Sequence, residues 1–99
     1  MDLMNDDITV ADNAPQHRYD AHVGRVLAGF AVYRLSDDVI TFVHTEVDPK
    51  FEGKGIGGAI ARFALDDVRE TGERRVVPSC PFIKAWIDKH PEYQSLTQP

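Results

Sequence analysis

Three glycines at every second position, Gly53, Gly55 and Gly57, stand in the run F-E-G-K-G-I-G-G over residues 51–58. Glycine adopts backbone conformations closed to other residues, so such a run lets several N–H groups converge on one point. The run separates a β-rich segment from an amphipathic one. Where a strand turns into a helix, the helix N-terminus adds the positive end of its dipole, and the chemistry indicated is phosphate binding. Gly57 and Gly58 fall in the first helical turn, where each glycine costs about 1 kcal/mol relative to alanine. That cost favours close approach by a ligand over mere helix packing. Lys54 is the lysine of the loop, placed to reach a phosphate or to be solvated. Upstream, His44 and Glu46 share one strand face by the period of two. Either is a candidate general base, the alternative being an exposed strand-end pair. Downstream, Cys80 precedes the last helix. A helix N-terminus makes a thiol more reactive, although free cysteine is also commonly a small buried hydrophobe.

The elements that position these residues follow from period and punctuation. Residues 1–15 are polar and read as a tail, with a short strand at residues 8–11. Residues 18–23 and 26–35 read as strands joined by a turn near Gly24. Residues 39–47 (V-I-T-F-V-H-T-E-V) form the clearest strand, β-branched and aromatic, and apolar on both faces early, as in a central strand. Asp48 and Pro49 end it. Over residues 54–71 the period becomes helical: Arg62, Asp66, Arg69 and Glu70 form a narrow polar sector, while Ile56, Ile60, Phe63, Ala64, Leu65 and Val68 cover the remainder. Gly72 suits the C′ position. A short strand follows at residues 74–78. A second helix spans residues 81–90, with Pro81 at its first position, Phe82, Ile83, Trp86 and Ile87 on a core face, and Pro91 as its stop. His90 and Tyr93 read as helix stop and packing. The order is three strands, helix, strand, helix, in one domain over residues 16–99. The glycine loop lies at the carboxyl end of a strand, where open α/β sheets bind ligands.

Composition narrows the function. The chain has 99 residues, 42% hydrophobic and 27% charged, as in an ordinary globular domain. Its formal charge of −5 and the absence of a basic run argue against nucleic-acid binding. One cysteine excludes an internal disulfide. The acidic N-terminus lacks the apolar core of a signal peptide, and no apolar run reaches membrane-spanning length. A cytoplasmic protein without membrane association is expected. His17 and His22 have no partners at metal-ligand spacing, so no metal is expected.

The loop is not a P-loop, because no Ser or Thr follows Lys54 and no matching glycine precedes it. The dinucleotide fingerprint is only half met. A strand ending V-x-P, followed by x-x-G-x-G-I-G at a helix start, resembles motif A of the GNAT acetyltransferase superfamily. With H-T-E-V (residues 44–47), V-P-S-C-P-F (residues 77–82) and W-I-D-K-H-P-E-Y (residues 86–93), the chain is similar to the minimal single-domain GNAT-like subfamily over residues 18–93. The resemblance implies an α/β fold: a GNAT-like mixed sheet of about five strands with two helices, lacking the helices usual between the first two strands. It implies acetyl-CoA as co-substrate, held by Thr45, Val47, Gly53, Lys54, Gly55, Ile56, Gly57 and Gly58, with Cys80 and Pro81 beside the pantetheine arm. Glu46, His44 and Cys80 are the candidate catalytic residues, and the acceptor is an unidentified amine. An oligomer or a protein partner is compatible with this.

Three departures from the family pattern matter. Glu52 stands where Gln or Arg is usual and brings an acid near a pyrophosphate. Val23 and Val26 are too close in sequence for intervening helices, which leaves the acceptor side open. Ile87 occupies the position of a usual tyrosine acid. Three readings follow: direct transfer to an amine, a non-catalytic acyl-CoA-binding module acting through a partner, and transfer through acetyl-Cys80.

Overall fold

Short turns set the sheet. The computed structural model describes residues 7–98. Its strands are β1 (Ile8–Asn13), β2 (Arg18–Val23), β3 (Val26–Ser36), β4 (Val39–Val47) and β5 (Arg75–Pro78), and its helices are α1 (Ile56–Thr71) and α2 (Pro81–Lys89). Gly24 adopts a φ of +61° in the turn between β2 and β3, as tight hairpins require. Such turns make β1 to β4 antiparallel neighbours. After α1 crosses over, β5 adds parallel to β4, and the sheet order is β1-β2-β3-β4-β5.

The sheet therefore takes in part of the polar N-terminal stretch. Beyond the expected short strand, β1 runs on to Asn13, paired with Arg18. Ile8 and Val10 pack against the core. Asp12 and Asn13 join because their polar groups have partners: the Tyr33 hydroxyl donates to Asp12 Oδ1 at 2.6 Å, and Asn13 Nδ2 donates to Asp20 Oδ2 at 2.9 Å. Residues 1–6 of the expected tail lie outside the described residues.

Both helices pack on one face. Tyr19, Ala31, Tyr33, Ile40, Phe42 and Val76 from the sheet meet Ile60, Ala64, Leu65, Ile83 and Ile87 in one buried cluster. β4 is an interior strand of the sheet, between β3 and β5, but its two faces are buried unequally. Ile40 and Phe42 are buried, whereas Val39, Thr41 and Val43 are only half-buried on a face that carries no helix. Phe63 is 40% exposed, packed edge-on against Tyr19 at the margin of the core.

The polar sector of α1 is a docking strip. The C-terminal turn Pro91–Thr97 folds back over it. Tyr93 is buried and donates to Asp66 Oδ1 at 2.7 Å, Arg69 lies 4.5 Å from its ring centroid, and Arg69 Nη2 donates to Glu92 O at 2.7 Å. Tyr19 similarly ties β2 to α1 by donating to Asp67 Oδ2 at 2.7 Å. Burial, then the carboxylate partners, push the phenols of Tyr19 and Tyr33 up; the Asp66 bond, then burial, pushes Tyr93 up. No described helix is long and apolar enough to cross a membrane.

Candidate active site

β4 outlasts its neighbour. β5 ends opposite Phe42, where Pro78 is its register partner, and the Cys80 N–H donates to Phe42 O at 2.8 Å as the last link between them. Beyond that point, among the described residues, the outer edge of β4 has no strand beside it. The β3–β4 register shifts between Val32 and Tyr33, so Val43 is an extra residue that reverses which backbone groups face outward. Past the bulge, the Asp48 N–H donates to Ala28 O, and Glu46 O lies 2.7 Å from where a Cβ on Gly29 would stand. Those groups face β3. By strand alternation, the backbone N–H and C=O groups of Thr45 and Val47 face the open side.

The glycine loop starts at the same end. Asp48 Oδ1 accepts from the Lys50 N–H at 2.9 Å and fixes the turn Pro49–Phe51. Gly53 and Gly55 both take a φ of +82°, with no atom within 4 Å of a Cβ at either position. Glycine is there for its dihedral angle, and the space beside the backbone is clear. Gly55 is the N-cap of α1 and no side chain caps the helix. The first-turn N–H groups of Ile56, Gly57 and Gly58 are thus left as donors. Lys54 and Glu52 are exposed.

Gly57 is small for a different reason. A Cβ there would lie 2.7 Å from Phe82 Cζ, and one on Gly58 would lie 3.6 Å from Trp86 Nε1. Helix α2 crosses α1 here, so close helix packing accounts for Gly57 without a ligand, whereas a Cβ on Gly58 would meet only ordinary contact. Phe82, expected in the core, is 42% exposed and lies across the first turn of α1.

The candidate residues form two pairs on opposite faces of β4. His44 Nε2 lies 3.1 Å from Glu46 Oε1 on the face without helices, and their side chains are 58% and 62% exposed. The Phe30 ring meets His44 edge-on at 6.5 Å, and Arg18 lies 4.9 Å from the Phe30 centroid. On the helical face, Thr45 Oγ1 lies 3.2 Å from Cys80 Sγ. Cys80 is 3% exposed and is the N-cap of α2, with Pro81 in the first turn. Burial overrides the accessible, reactive thiol that the helix N-terminus suggested. Ile56 is 2% exposed and Val47 packs on the core, so each offers a ligand its backbone only. Ile87 is buried at 3% and carries no acid.

The sequence profile of the GCN5-related N-acetyl-transferase family matches residues 18–96. The chain belongs to this family. Its fold is similar to the crystal structure of a ribosomal-protein-alanine N-acetyltransferase from Brucella melitensis biovar Abortus 2308, with a TM-score of 0.55 and 21% identity over 83% of the chain. That likeness is one of fold, and the match spans 61% of the Brucella enzyme. No curated protein sequence matches the chain. The five-stranded mixed sheet with two helices expected from the motifs is the observed one, and both early connections are short, Ala14–His17 and Gly24–Arg25.

Two site residues escape sequence reasoning in this GNAT domain. Asp48 reads as a strand end, although an Asp before Pro is also a turn-forming signal. Phe82 gives no local sign that its ring lies on Gly57, because that contact depends on how α2 crosses α1.

Proposed function

We propose that this chain binds acetyl-CoA and transfers its acetyl group to a primary amine by direct attack. The observation that carries the reading is the juxtaposition of an uncapped, glycine-led helix N-terminus with the unpaired edge of β4. Acetyl-CoA would supply an activated acyl carbonyl with a thiolate leaving group. The N–H groups of residues 56–58 and the open backbone at Gly53 and Gly55 suit its pyrophosphate. Lys54 adds a cation, and exposed Glu52 is free to turn its charge to solvent. The outward N–H groups of Thr45 and Val47 suit the pantetheine arm and can polarise the carbonyl. Cys80 and Pro81, at the start of α2, flank that arm.

Glu46 is placed to take a proton from an ammonium arriving over the helix-free face, directly or through an ordered water. His44, 3.1 Å away, holds the carboxylate in position. Cys80 bonds Thr45 and lies across the strand from His44, so among the described residues it has no adjacent base to activate it as a nucleophile. This favours direct attack over an acetyl-cysteine. A lone free thiol beside the site suits a reducing compartment, the cytoplasm.

One observation favours the second reading, a non-catalytic acyl-CoA-binding module. The His44–Glu46 pair is more than half exposed, and among the described residues no helix covers that face of β4. Release of CoA thiol from acetyl-CoA, measured across a panel of small amines and lysine-containing peptides, separates the two. Turnover with any amine, lost in Glu46→Gln, supports transfer. Acetyl-CoA binding with no turnover supports the module. A mass gain of one acetyl group on Cys80 supports the covalent route instead.

A further inference from the structure

The five-stranded sheet ends differently at its two edges. β5 is four residues long, carries Arg75 and closes on Pro78, features that keep a strand edge from pairing with another chain. β1 has none of them. Its six residues, I-T-V-A-D-N, include no proline, lysine or arginine, and its register to β2 runs without a bulge from Ile8–Val23 to Asn13–Arg18. Its one charge, Asp12, accepts from the Tyr33 hydroxyl of the same chain. Every other residue of β1 turns its N–H and C=O away from β2. Among the described residues no strand receives them.

The surface beside that edge is largely apolar. A groove of about 320 Å³ between β1 and α1 is lined by Ile8, Val10, Ala59 and Phe63, with Arg62 and Asp66 as its charged lining. The Tyr93 hydroxyl accepts from Arg62 Nη1 at 3.3 Å and donates to Asp66 Oδ1 at 2.7 Å, which holds both charges in place.

We propose that this edge pairs with the same edge of a second copy, giving a two-fold dimer with one ten-stranded sheet. A strand edge selects another strand, because an extended backbone meets its row of donors and acceptors. The charges select a copy of this chain. A two-fold interface is isologous, so the patch must complement itself. Antiparallel pairing of the two β1 strands also sets the two α1 helices antiparallel. Arg62 of one copy then faces Asp66 of the other, and Asp66 faces Arg62. A patch of one sign would repel its own copy; one cation and one anion four residues apart on the helix attract it. Phe63 and Val10 supply the apolar centre between these pairs. The net charge of −5 opposes self-association of the chain at large, whereas this groove, with one charge of each sign, is locally neutral.

Sedimentation equilibrium of the full chain tests this. Wild type should reach twice the 11.1 kDa chain mass as its concentration rises through the micromolar range. Hydrogen exchange should slow with concentration at the amides of residues 8–13 and not at those of β5. Phe63→Glu should weaken association at least about tenfold, because it would bury an unpaired charge. Thr9→Lys, at an exposed edge position, should also weaken it and keep the wild-type circular dichroism. A monomer at every concentration would overturn the proposal. So would a dimer that both folded variants keep undiminished, or one whose β1 amides stay unprotected. A wild-type monomer that dimerises only after residues 1–6 are removed would show that the start of the chain covers the edge, and would overturn it too.

Discussion

Gly29→Ala and Gly58→Ala should move stability in opposite directions. Gly29 lies on β3 opposite Val47, in the stretch that carries the candidate base. A Cβ there would stand 2.7 Å from Glu46 O, 3.1 Å from Ile56 Cγ2 and 3.3 Å from Val47 Cα. Two of those atoms are backbone, and β4 cannot retreat without loosening its ladder to β3. Overpacking of this kind costs about 1–3 kcal/mol. For a domain of this size each kcal/mol moves Tm by about 4–8 °C, so Gly29→Ala should melt about 4–24 °C below wild type. Gly58 differs: it is helical, and its Cβ would meet Trp86 Nε1 at an ordinary 3.6 Å. Replacing a helical glycine by alanine gains up to about 1 kcal/mol, a rise of up to about 8 °C. Thermal melts followed by circular dichroism read both. A Gly29→Ala protein that melts with wild type would refute the close approach of β3 and β4.

Glu46→Gln should leave acetyl-CoA affinity unchanged and lower kcat by about 10²- to 10⁴-fold, the usual contribution of general base catalysis; steady-state kinetics with the best amine from the panel would show it. Alkaline pH should destabilise the fold. The phenols of Tyr19 and Tyr33 are raised above the usual 10.0, so their contribution is complete below about pH 10 and is lost as pH climbs beyond it. Tm should therefore fall above that pH, and less steeply in Tyr19→Phe. Cys80, 3% exposed, should react slowly with iodoacetamide in the native protein and quickly in denaturant. Fast native alkylation would show that the start of α2 opens.

The parts legible in the sequence are those whose signals are local. Residues 39–47 can be read as a strand to the residue because a β-branched run ends at Asp48-Pro49. The pairing of His44 with Glu46 follows from the period of two alone. Helix α2 is bracketed by Pro81 and Pro91. What escapes is tertiary. Arg62, Asp66 and Arg69 look like a solvated stripe, yet they receive Tyr93 from the C-terminal turn, a contact no helical period reveals. Gly53 and Gly57 are alike in sequence; one is required by its dihedral angle and the other by the Phe82 ring. Cys80 stands at a helix N-terminus as expected, but its burial against Thr45 depends on where β5 stops. The N-terminal strand is short of apolar residues because Asp12 and Asn13 bond to Tyr33 and Asp20 instead of packing.

The most direct test of acetyl-CoA binding at the glycine-led helix start is a calorimetric titration of wild type, Gly58→Ala and Gly58→Asp. Aspartate in the first turn favours the helix, so the variant should fold. Its charge, about 6 Å from two phosphate charges, opposes binding by about 1.4 kcal/mol even at the dielectric constant of water, which is about tenfold. Wild type and Gly58→Ala should bind acetyl-CoA alike, and Gly58→Asp at least about tenfold more weakly. Equal affinity in all three folded proteins, or no binding by wild type, would contradict the account.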